Sequence, residues 1–105
     1  MLTPRQIDHA VQALVAAARP RRIVLFGSHA RGDARDDSDL DLLVIEDEVH
    51  DRAGEMVRLR RVLRPLRIPV DILVASTDEV ARGGGQPGHV LYWAMQEGRE
   101  VYVGA

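Results

Sequence analysis

The sequence predicts an α/β fold, with a small mixed β-sheet and helices packed on its faces. Short apolar runs of strand length alternate with segments whose apolar residues recur three or four positions apart, as on one face of a helix. Pro, Gly or clusters of Asp and Ser separate these segments. With 105 residues there is room for one domain, so we expect residues 1–105 to form a single domain.

The first four predicted elements are a helix, a strand, a short helix and a second strand. Thr3 as a cap, Pro4 at the first helical position and Gln6 predict a helix over 4–18. The continuous apolar run 23–26 predicts a strand that is buried on both faces. Residues 28–31 are predicted as a short helix that ends at Gly32, and residues 40–45 as the second strand.

The second half continues with a helix, a strand, two helices and a last strand. Asp51 as a cap predicts a helix up to about residue 64, which Pro65 ends. A strand follows over 70–75, then a short helix after the capping pattern 76–79, a helix over 89–97 and a strand over 100–103. The glycine-rich segment 83–88 is predicted to be a flexible connector, because no strand feeds it as a phosphate loop requires.

The composition excludes several classes of site. The chain has no cysteine, which excludes disulfides and thiolate nucleophiles, and no lysine, which excludes a P-loop. The net charge of -2 gives no bulk attraction to nucleic acid, so we do not expect nucleic acid as a direct ligand. No apolar run approaches the roughly 20 residues of a membrane span, and the first residues lack a signal-peptide core. We therefore expect a cytoplasmic protein with no membrane partner.

The segment between the first two strands carries the chemistry. Gly27 and Ser28 stand where a strand ends and a helix begins, which suits the binding of phosphate. Ten residues later come Asp39 and Asp41, whose carboxylates point to one side because strand side chains alternate between faces. Paired carboxylates favour a shared proton or a bound cation, and hard oxygen ligands select Mg²⁺ or Mn²⁺. The sequence therefore predicts a metal and phosphate site.

Two further residues are candidates for this site. Asp71 is the single charge in an apolar strand, and burying it costs free energy unless a cation or a hydrogen-bond donor is near. It therefore either joins the other carboxylates or lies at an exposed strand edge. Arg31 can reach a phosphate or can pair with Asp33 in a solvated loop.

The string Gly-Ser-His-Ala-Arg-Gly-Asp-Ala-Arg-Asp-Asp-Ser-Asp-Leu-Asp-Leu-Leu-Val, residues 27–44, resembles the signature of the DNA polymerase β-like nucleotidyltransferase superfamily. It is similar in particular to the minimal nucleotidyltransferases, which are often antitoxins paired with HEPN-domain toxins. The resemblance covers essentially the whole chain and implies the polymerase β-like nucleotidyltransferase fold. One departure is His29, because many minimal members carry Arg at that position.

The resemblance implies a function and a role for each site residue. Asp39 and Asp41 would coordinate two Mg²⁺ ions, Asp71 would complete the catalytic metal site, and Gly27 with Ser28 would hold the β- and γ-phosphates of ATP. The expected reaction is transfer of AMP from ATP to a hydroxyl, with tyrosine expected, on a HEPN-type toxin. A chain of this length leaves no residues for an acceptor-binding domain, so the acceptor is expected to come from that partner.

The alternative function is a non-catalytic antitoxin, a binding module that sequesters its partner. Exposed arginines of the third predicted helix would then form either a contact surface or only a solvated helix face, namely Arg52, Arg58, Arg60, Arg61, Arg64 and Arg67. Tyr92 and Trp93 are adjacent in the last helix, so one of them is expected to be exposed and available to a partner.

Overall fold

Four strands form one sheet in the computed structural model, which describes residues 2–83 and 88–104. In chain order they are β1 (Arg22–Phe26), β2 (Leu40–Glu46), β3 (Val70–Ser76) and β4 (Arg99–Val103). The order across the sheet is β3-β2-β1-β4. Strands β2 and β3 are parallel, whereas β1 is antiparallel to both β2 and β4. The prediction of a small mixed sheet is confirmed.

The helices begin and end within a residue or two of the predicted positions. They are α1 (Pro4–Ala18), α2 (Ser28–Arg31), α3 (Arg52–Leu63), α4 (Thr77–Gly83) and α5 (Val90–Glu97), and a 3₁₀ turn over Arg64–Leu66 extends α3. Most of the predicted connector, residues 84–87, lies outside the described residues. Among the helices that the structure describes, none is long and apolar enough to cross a membrane.

Side-chain caps explain where the helices start. The Thr3 hydroxyl accepts a hydrogen bond from the Gln6 amide at 3.2 Å, and the Gln6 side chain accepts one from the Thr3 amide at 2.9 Å. Ser76 and Glu79 repeat this capping box at the start of α4, with distances of 3.1 and 3.0 Å. Each cap satisfies amide groups that a helix leaves unpaired in its first turn. The capping patterns read from the sequence therefore define these two helices.

The sheet is covered by helices on both faces. One core cluster packs Leu25, Leu42 and Ile72 of the sheet against α1 and α3. The second packs Val24 and Leu43, which point the opposite way, with residues of α4 and α5. Because β1 and β2 are buried on both faces, their sequences are continuous apolar runs. Leu40 and Leu42 belong to the first cluster, so Asp41 between them faces the side of α4 and α5.

Candidate active site

Three of the predicted carboxylates meet at one end of the sheet. Asp41 is the second residue of β2, and its register partners are Phe26 on β1 and Asp71 on β3. Register partners point to the same face of a sheet, so the Asp41 and Asp71 side chains are direct neighbours. Asp39 lies just before β2 and acts electrostatically on Asp41. The local alternation of side chains and the parallel pairing of β2 with β3 together assemble this cluster.

The charge balance of the cluster favours a cation. Burial raises the pKa of the Asp41 carboxyl, and the negative charges of Asp71 and Asp39 raise it further. The positive charges of His29 and Arg31 act in the opposite direction but are smaller contributions. A bound divalent cation would remove this repulsion, and carboxylate oxygens are the ligands that Mg²⁺ prefers. The donor chemistry of Asp39, Asp41 and Asp71 therefore fits Mg²⁺.

Asp71 lies on the outermost strand of the sheet. Its side chain is 57% exposed, and its Oδ1 lies 3.6 Å from Nη2 of Arg60 on α3. Within residues 2–83 and 88–104, no three His, Asp or Glu side chains are arranged as a complete metal site. Asp71 therefore lies at an exposed strand edge and is also a neighbour of Asp41, so both predicted alternatives describe it in part.

Gly27 joins the Gly-Ser end of the motif to its Asp-x-Asp end. Its backbone has φ 73° and ψ -157°, in the region that side chains rarely adopt. A Cβ atom built at Gly27 would lie 2.2 Å from Oδ2 of Asp41. Only glycine allows the turn before Ser28 to pass so close to this carboxylate.

The short helix after Gly27 is one turn long, and Gly32 ends it. The Gly32 amide bonds the Ser28 carbonyl at 3.0 Å, and φ of Gly32 is 85°. The macrodipole of a helix of four residues is small. The hydrogen-bond donors at this turn are therefore individual N–H groups and side chains. Ser28 is partly exposed and stands at the start of this helix, next to Gly27.

Glu97, the last residue of α5, reaches the same turn. Its Oε1 accepts a hydrogen bond from the Gly27 amide at 3.2 Å, and its two oxygens accept from Nη1 of Arg31 at 3.1 and 3.2 Å. Arg31 also donates through Nε to Asp33 at 3.3 Å. The hydrogen bonds that Arg31 donates to Glu97 and Asp33 raise the pKa of its guanidinium. The ion pair between Arg31 and Asp33 is one of the two predicted alternatives for Arg31. Its contact with Glu97 was not predicted from the sequence.

His29 connects α2 to the residue before β2. Its Nδ1 lies 3.1 Å from the Asp39 carbonyl oxygen. A carbonyl only accepts, so Nδ1 carries the proton in this contact. The other ring nitrogen, Nε2, is buried and has no hydrogen-bond partner. The His29 ring therefore donates to the backbone of Asp39 and connects α2 to the start of β2.

The arginines of α3 and of the turn after it do not form one free surface. Arg52 donates to the Val74 carbonyl at 3.1 Å and also pairs with Glu79. Arg58 donates to the Ala17 carbonyl at 3.1 Å and to Glu55. Arg60 pairs with Asp71. At least three of the six arginines thus have partners within the fold, and the binding of another protein by this surface stays a prediction.

The comparison with family models decides the class of protein. Residues 5–97 match the model of the nucleotidyltransferase domain. The chain belongs to the nucleotidyltransferase domain family. This result agrees with the resemblance of residues 27–44 to nucleotidyltransferases. The family match is longer and includes most of the described residues.

Two named proteins are similar to this chain. A Methanocaldococcus jannaschii protein named as a candidate protein adenylyltransferase is 44% identical over 45 residues, which are 41% of this chain and 45% of that relative. The nucleotidyltransferase thus matches less than half of that relative. A candidate nucleotidyltransferase from Sulfolobus solfataricus, known from a crystal structure, is 26% identical to this chain, and the two structures match with a TM-score of 0.60. The match covers 74% of this chain and 70% of that chain.

A second solved structure shares the fold over more of the chain. It is a crystal structure of a toxin–antitoxin with AMP-PNP, and it is 19% identical to this nucleotidyltransferase. The match has TM-score 0.66 and covers 93% of this chain and 73% of that one. At this identity the likeness shows the fold, and it confirms the predicted nucleotidyltransferase fold.

Proposed function

We propose that this chain is a Mg²⁺-dependent nucleotidyltransferase that transfers AMP from ATP to a hydroxyl of a partner protein and thereby acts as an antitoxin. The observation that carries the proposal is the position of Asp41, which lies against the Gly27 turn and beside Asp71. A phosphate-binding turn in contact with a cluster of carboxylates is the arrangement that a metal-bound triphosphate needs.

The proposed residue roles follow from this arrangement. Asp39, Asp41 and Asp71 would hold two Mg²⁺ ions, or Mn²⁺ in their place. These ions, when bound, would neutralise charge on the triphosphate and make the acceptor hydroxyl easier to deprotonate. Gly27 and Ser28 would bind the β- and γ-phosphates through backbone N–H groups and the hydroxyl, and Arg31 would add a guanidinium. Binding in this way directs the α-phosphorus toward the carboxylates and an acceptor beyond them. The acceptor oxygen would form its bond to the α-phosphorus as the bond to the β-phosphate breaks, so that pyrophosphate leaves and the hydroxyl proton is released.

The acceptor is proposed to be a tyrosine of a HEPN-type toxin. Asp39 and Asp71 are exposed, so another protein can bring a hydroxyl to them. The solved toxin–antitoxin with AMP-PNP, which has the same fold, supports a toxin as partner and a nucleotide as substrate. The HEPN class and tyrosine rest on the resemblance of residues 27–44. Residues 1–105 are proposed to act as a single domain, in the cytoplasm, where ATP and Mg²⁺ are available.

The direct test is intact mass spectrometry after co-expression with the product of the neighbouring gene and incubation with Mg-ATP. We expect the partner to gain one or more AMP units, and peptide mapping to locate them on tyrosine. The Asp39→Ala variant should bind the partner without modifying it, whereas Asp8→Ala, an exposed carboxylate on α1, should behave as the unmodified chain does. Neutralisation of the toxin that survives the removal of both Asp39 and Asp41 would contradict the catalytic proposal.

A second candidate function is sequestration of the partner without catalysis. The observation that favours it is the exposure of Trp93 and Val90 on α5, which are 56% and 55% exposed. An exposed tryptophan is a frequent anchor of protein interfaces. Thermal unfolding with and without Mg-ATP separates the two functions, since a ligand that binds only the folded protein raises the midpoint. A pure binding module would show no such increase.

A further inference from the structure

The Glu97 carboxylate occupies the donors of the Gly27 turn. Gly27 precedes Ser28 in the chain and Arg31 follows it by three residues, and the Gly27 amide and the Arg31 guanidinium both donate to this one carboxylate at 3.1 to 3.2 Å. Glu97 is separated from Gly27 by 70 positions in the sequence, so the contact joins the end of α5 to the turn after β1. A single acidic side chain thus satisfies the two groups that would meet a phosphate.

The packing of the end of α5 on β1 places Glu97 there. A Cβ atom built at Gly98 would lie 2.1 Å from the Ala94 carbonyl oxygen and 2.4 Å from Cγ1 of Val24. Only glycine lets the chain leave α5 so close to β1, and the preceding residue is thereby held beside the turn. The Glu97 side chain is 29% exposed, so it can turn toward solvent without opening the core.

We propose that Glu97 is an internal counter-anion. It accepts the hydrogen bonds of the phosphate-binding groups when no nucleotide is bound, and the triphosphate of the nucleotide displaces it. The inference rests on the proposed function, because it takes Gly27 and Arg31 as phosphate-binding groups. A backbone amide and a guanidinium bind phosphate oxygens as they bind carboxylate oxygens. Two anions cannot share these donors at hydrogen-bond distance without strong repulsion. Glu97 therefore lowers the affinity for the nucleotide and releases its contacts when the nucleotide binds.

The displacement couples the nucleotide to the surface of α5. Trp93 lies one turn before Glu97 in the same helix, and it is the single tryptophan of the chain. Loss of the Glu97 contacts removes polar anchors at the end of α5. Nucleotide binding is therefore expected to change the emission of Trp93, which stands on the exposed surface of that helix.

Equilibrium titration of Glu97→Gln with Mg²⁺ and AMP-PNP tests the proposal. Glutamine keeps the size and an acceptor oxygen but removes the negative charge. Glu100→Gln is the matched control, since Glu100 follows closely in the chain and pairs with Arg22 at 2.9 Å, away from the turn. We expect Glu97→Gln to bind AMP-PNP at least about fivefold more tightly, and Glu100→Gln to stay within about twofold of the unmodified chain.

Two outcomes would overturn the proposal, and they are distinguishable. If the unmodified chain binds AMP-PNP and Glu97→Gln binds it no better than Glu100→Gln, Glu97 only positions Arg31 and the turn, and the counter-anion is refuted while the nucleotide site stands. If none of the three proteins binds AMP-PNP although circular dichroism shows each to be folded, the nucleotide site itself is refuted and the inference with it.

Discussion

Gly27 and Asp41 are in contact: a methyl group on Gly27 would overlap Oδ2 of Asp41, at a distance of 2.2 Å. Gly27 follows β1, and Asp41 pairs with the preceding residue, Phe26, on the neighbouring strand. The two ends of the Gly-Ser and Asp-x-Asp motif are therefore one structural unit. Glycine is required by its positive φ and by the space that the carboxylate occupies.

The Gly27→Ala substitution tests this unit. We expect it to lower the free energy of unfolding by about 2 kcal/mol, because backbone strain adds to the overlap with Asp41. Gly32→Ala is the matched control, since Gly32 also has positive φ but nothing lies within 4 Å of its Cβ position. Gly32→Ala should lower the free energy of unfolding by only about 1 kcal/mol. Urea denaturation measures both, and equal losses would show that Asp41 moves aside at little cost.

The Asp41→Asn substitution should stabilise the fold while abolishing transfer. Burial and the charges of Asp71 and Asp39 raise the pKa of Asp41 above its ordinary 3.8. The folded state therefore keeps this proton to a higher pH than the unfolded chain, and stability falls as pH rises through that interval. At pH 7 the variant should be more stable by less than about 1 kcal/mol, since the side chain is partly solvated.

Urea unfolding with and without Mg²⁺ measures this effect. The stability advantage of Asp41→Asn should vanish at about pH 3, where both states hold the proton. Mg²⁺ should stabilise the unmodified chain more than the variant. An advantage that is the same at both pH values would contradict the electrostatic explanation. Asp8→Asn, an exposed carboxylate on α1, serves as the neutral control.

A second pH dependence arises at the other end of β2. Burial, and then a hydrogen bond with Glu55, raise the pKa of Glu46 to about 7, while hydrogen bonds from Arg58 and Glu46 lower the pKa of Glu55 to about 2. Glu55 therefore adds stability as pH rises from about 2 to 4.5. Glu46 removes stability as pH rises from 4.5 to about 7. Stability should be highest near pH 4.5 as far as this pair contributes.

The Glu46→Gln substitution isolates this effect. Glutamine can still donate to Glu55 but cannot ionise, so the loss of stability between pH 4.5 and 7 should disappear. At pH 8 the variant should be more stable by about 1 kcal/mol, after allowing for solvent screening. Glu48→Gln is the control, because Glu48 is exposed and pairs with His50 on the surface. An unchanged pH profile in Glu46→Gln, followed by urea midpoints, would contradict the assignment.

The Trp93→Ala substitution tests the surface of α5. Trp93 is 56% exposed, so its removal should change the unfolding midpoint very little. If the partner binds there, affinity should fall by about 2 kcal/mol or more, which is typical of a buried aromatic anchor. Val57→Ala, on the exposed side of α3, is the control. Calorimetric titration of the co-expressed partner measures both, and an unaffected affinity would place the interface elsewhere.

The His29→Ala substitution tests whether the hydrogen bond from His29 positions Asp39. Loss of the Nδ1 donor frees the Asp39 carbonyl, which it contacts at 3.1 Å, and should lower kcat by about tenfold through misplacement of the carboxylate. His29→Asn, whose amide nitrogen can donate from a similar position, should recover most of this loss. Comparable rates for the alanine and asparagine variants would show that the hydrogen bond does not position Asp39.

Local patterns predicted most of the fold, whereas the roles of the site residues stay a prediction. The capping box at Thr3 and the apolar runs of β1 and β2 are short-range signals, and their elements begin and end close to the predicted residues. Strand alternation predicted that Asp39 and Asp41 share a side, and Asp39, just before β2, is close enough to act electrostatically on Asp41. The neighbours Asp41 and Asp71 required the register of a parallel pair, which local sequence does not encode.

Two acidic residues show where sequence reasoning failed. Glu46 lies just beyond the strand predicted over 40–45, but it is the last residue of β2, and its Oε2 is buried without a hydrogen-bond partner. Glu97 was predicted only as the end of a helix. Its contact with Gly27 depends on how α5 packs on β1, and the one available signal was Gly98, whose role depends on the same packing.

The strand order has a consequence for synthesis of the chain. Strand β1 is an inner strand only because β4, at the end of the described residues, pairs with it. Until residues 99–103 leave the ribosome, one edge of a strand rich in Ile, Val and Leu has no hydrogen-bond partner. Such an open edge invites pairing between nascent chains. Premature termination before β4 should therefore yield an aggregating product rather than a smaller folded one.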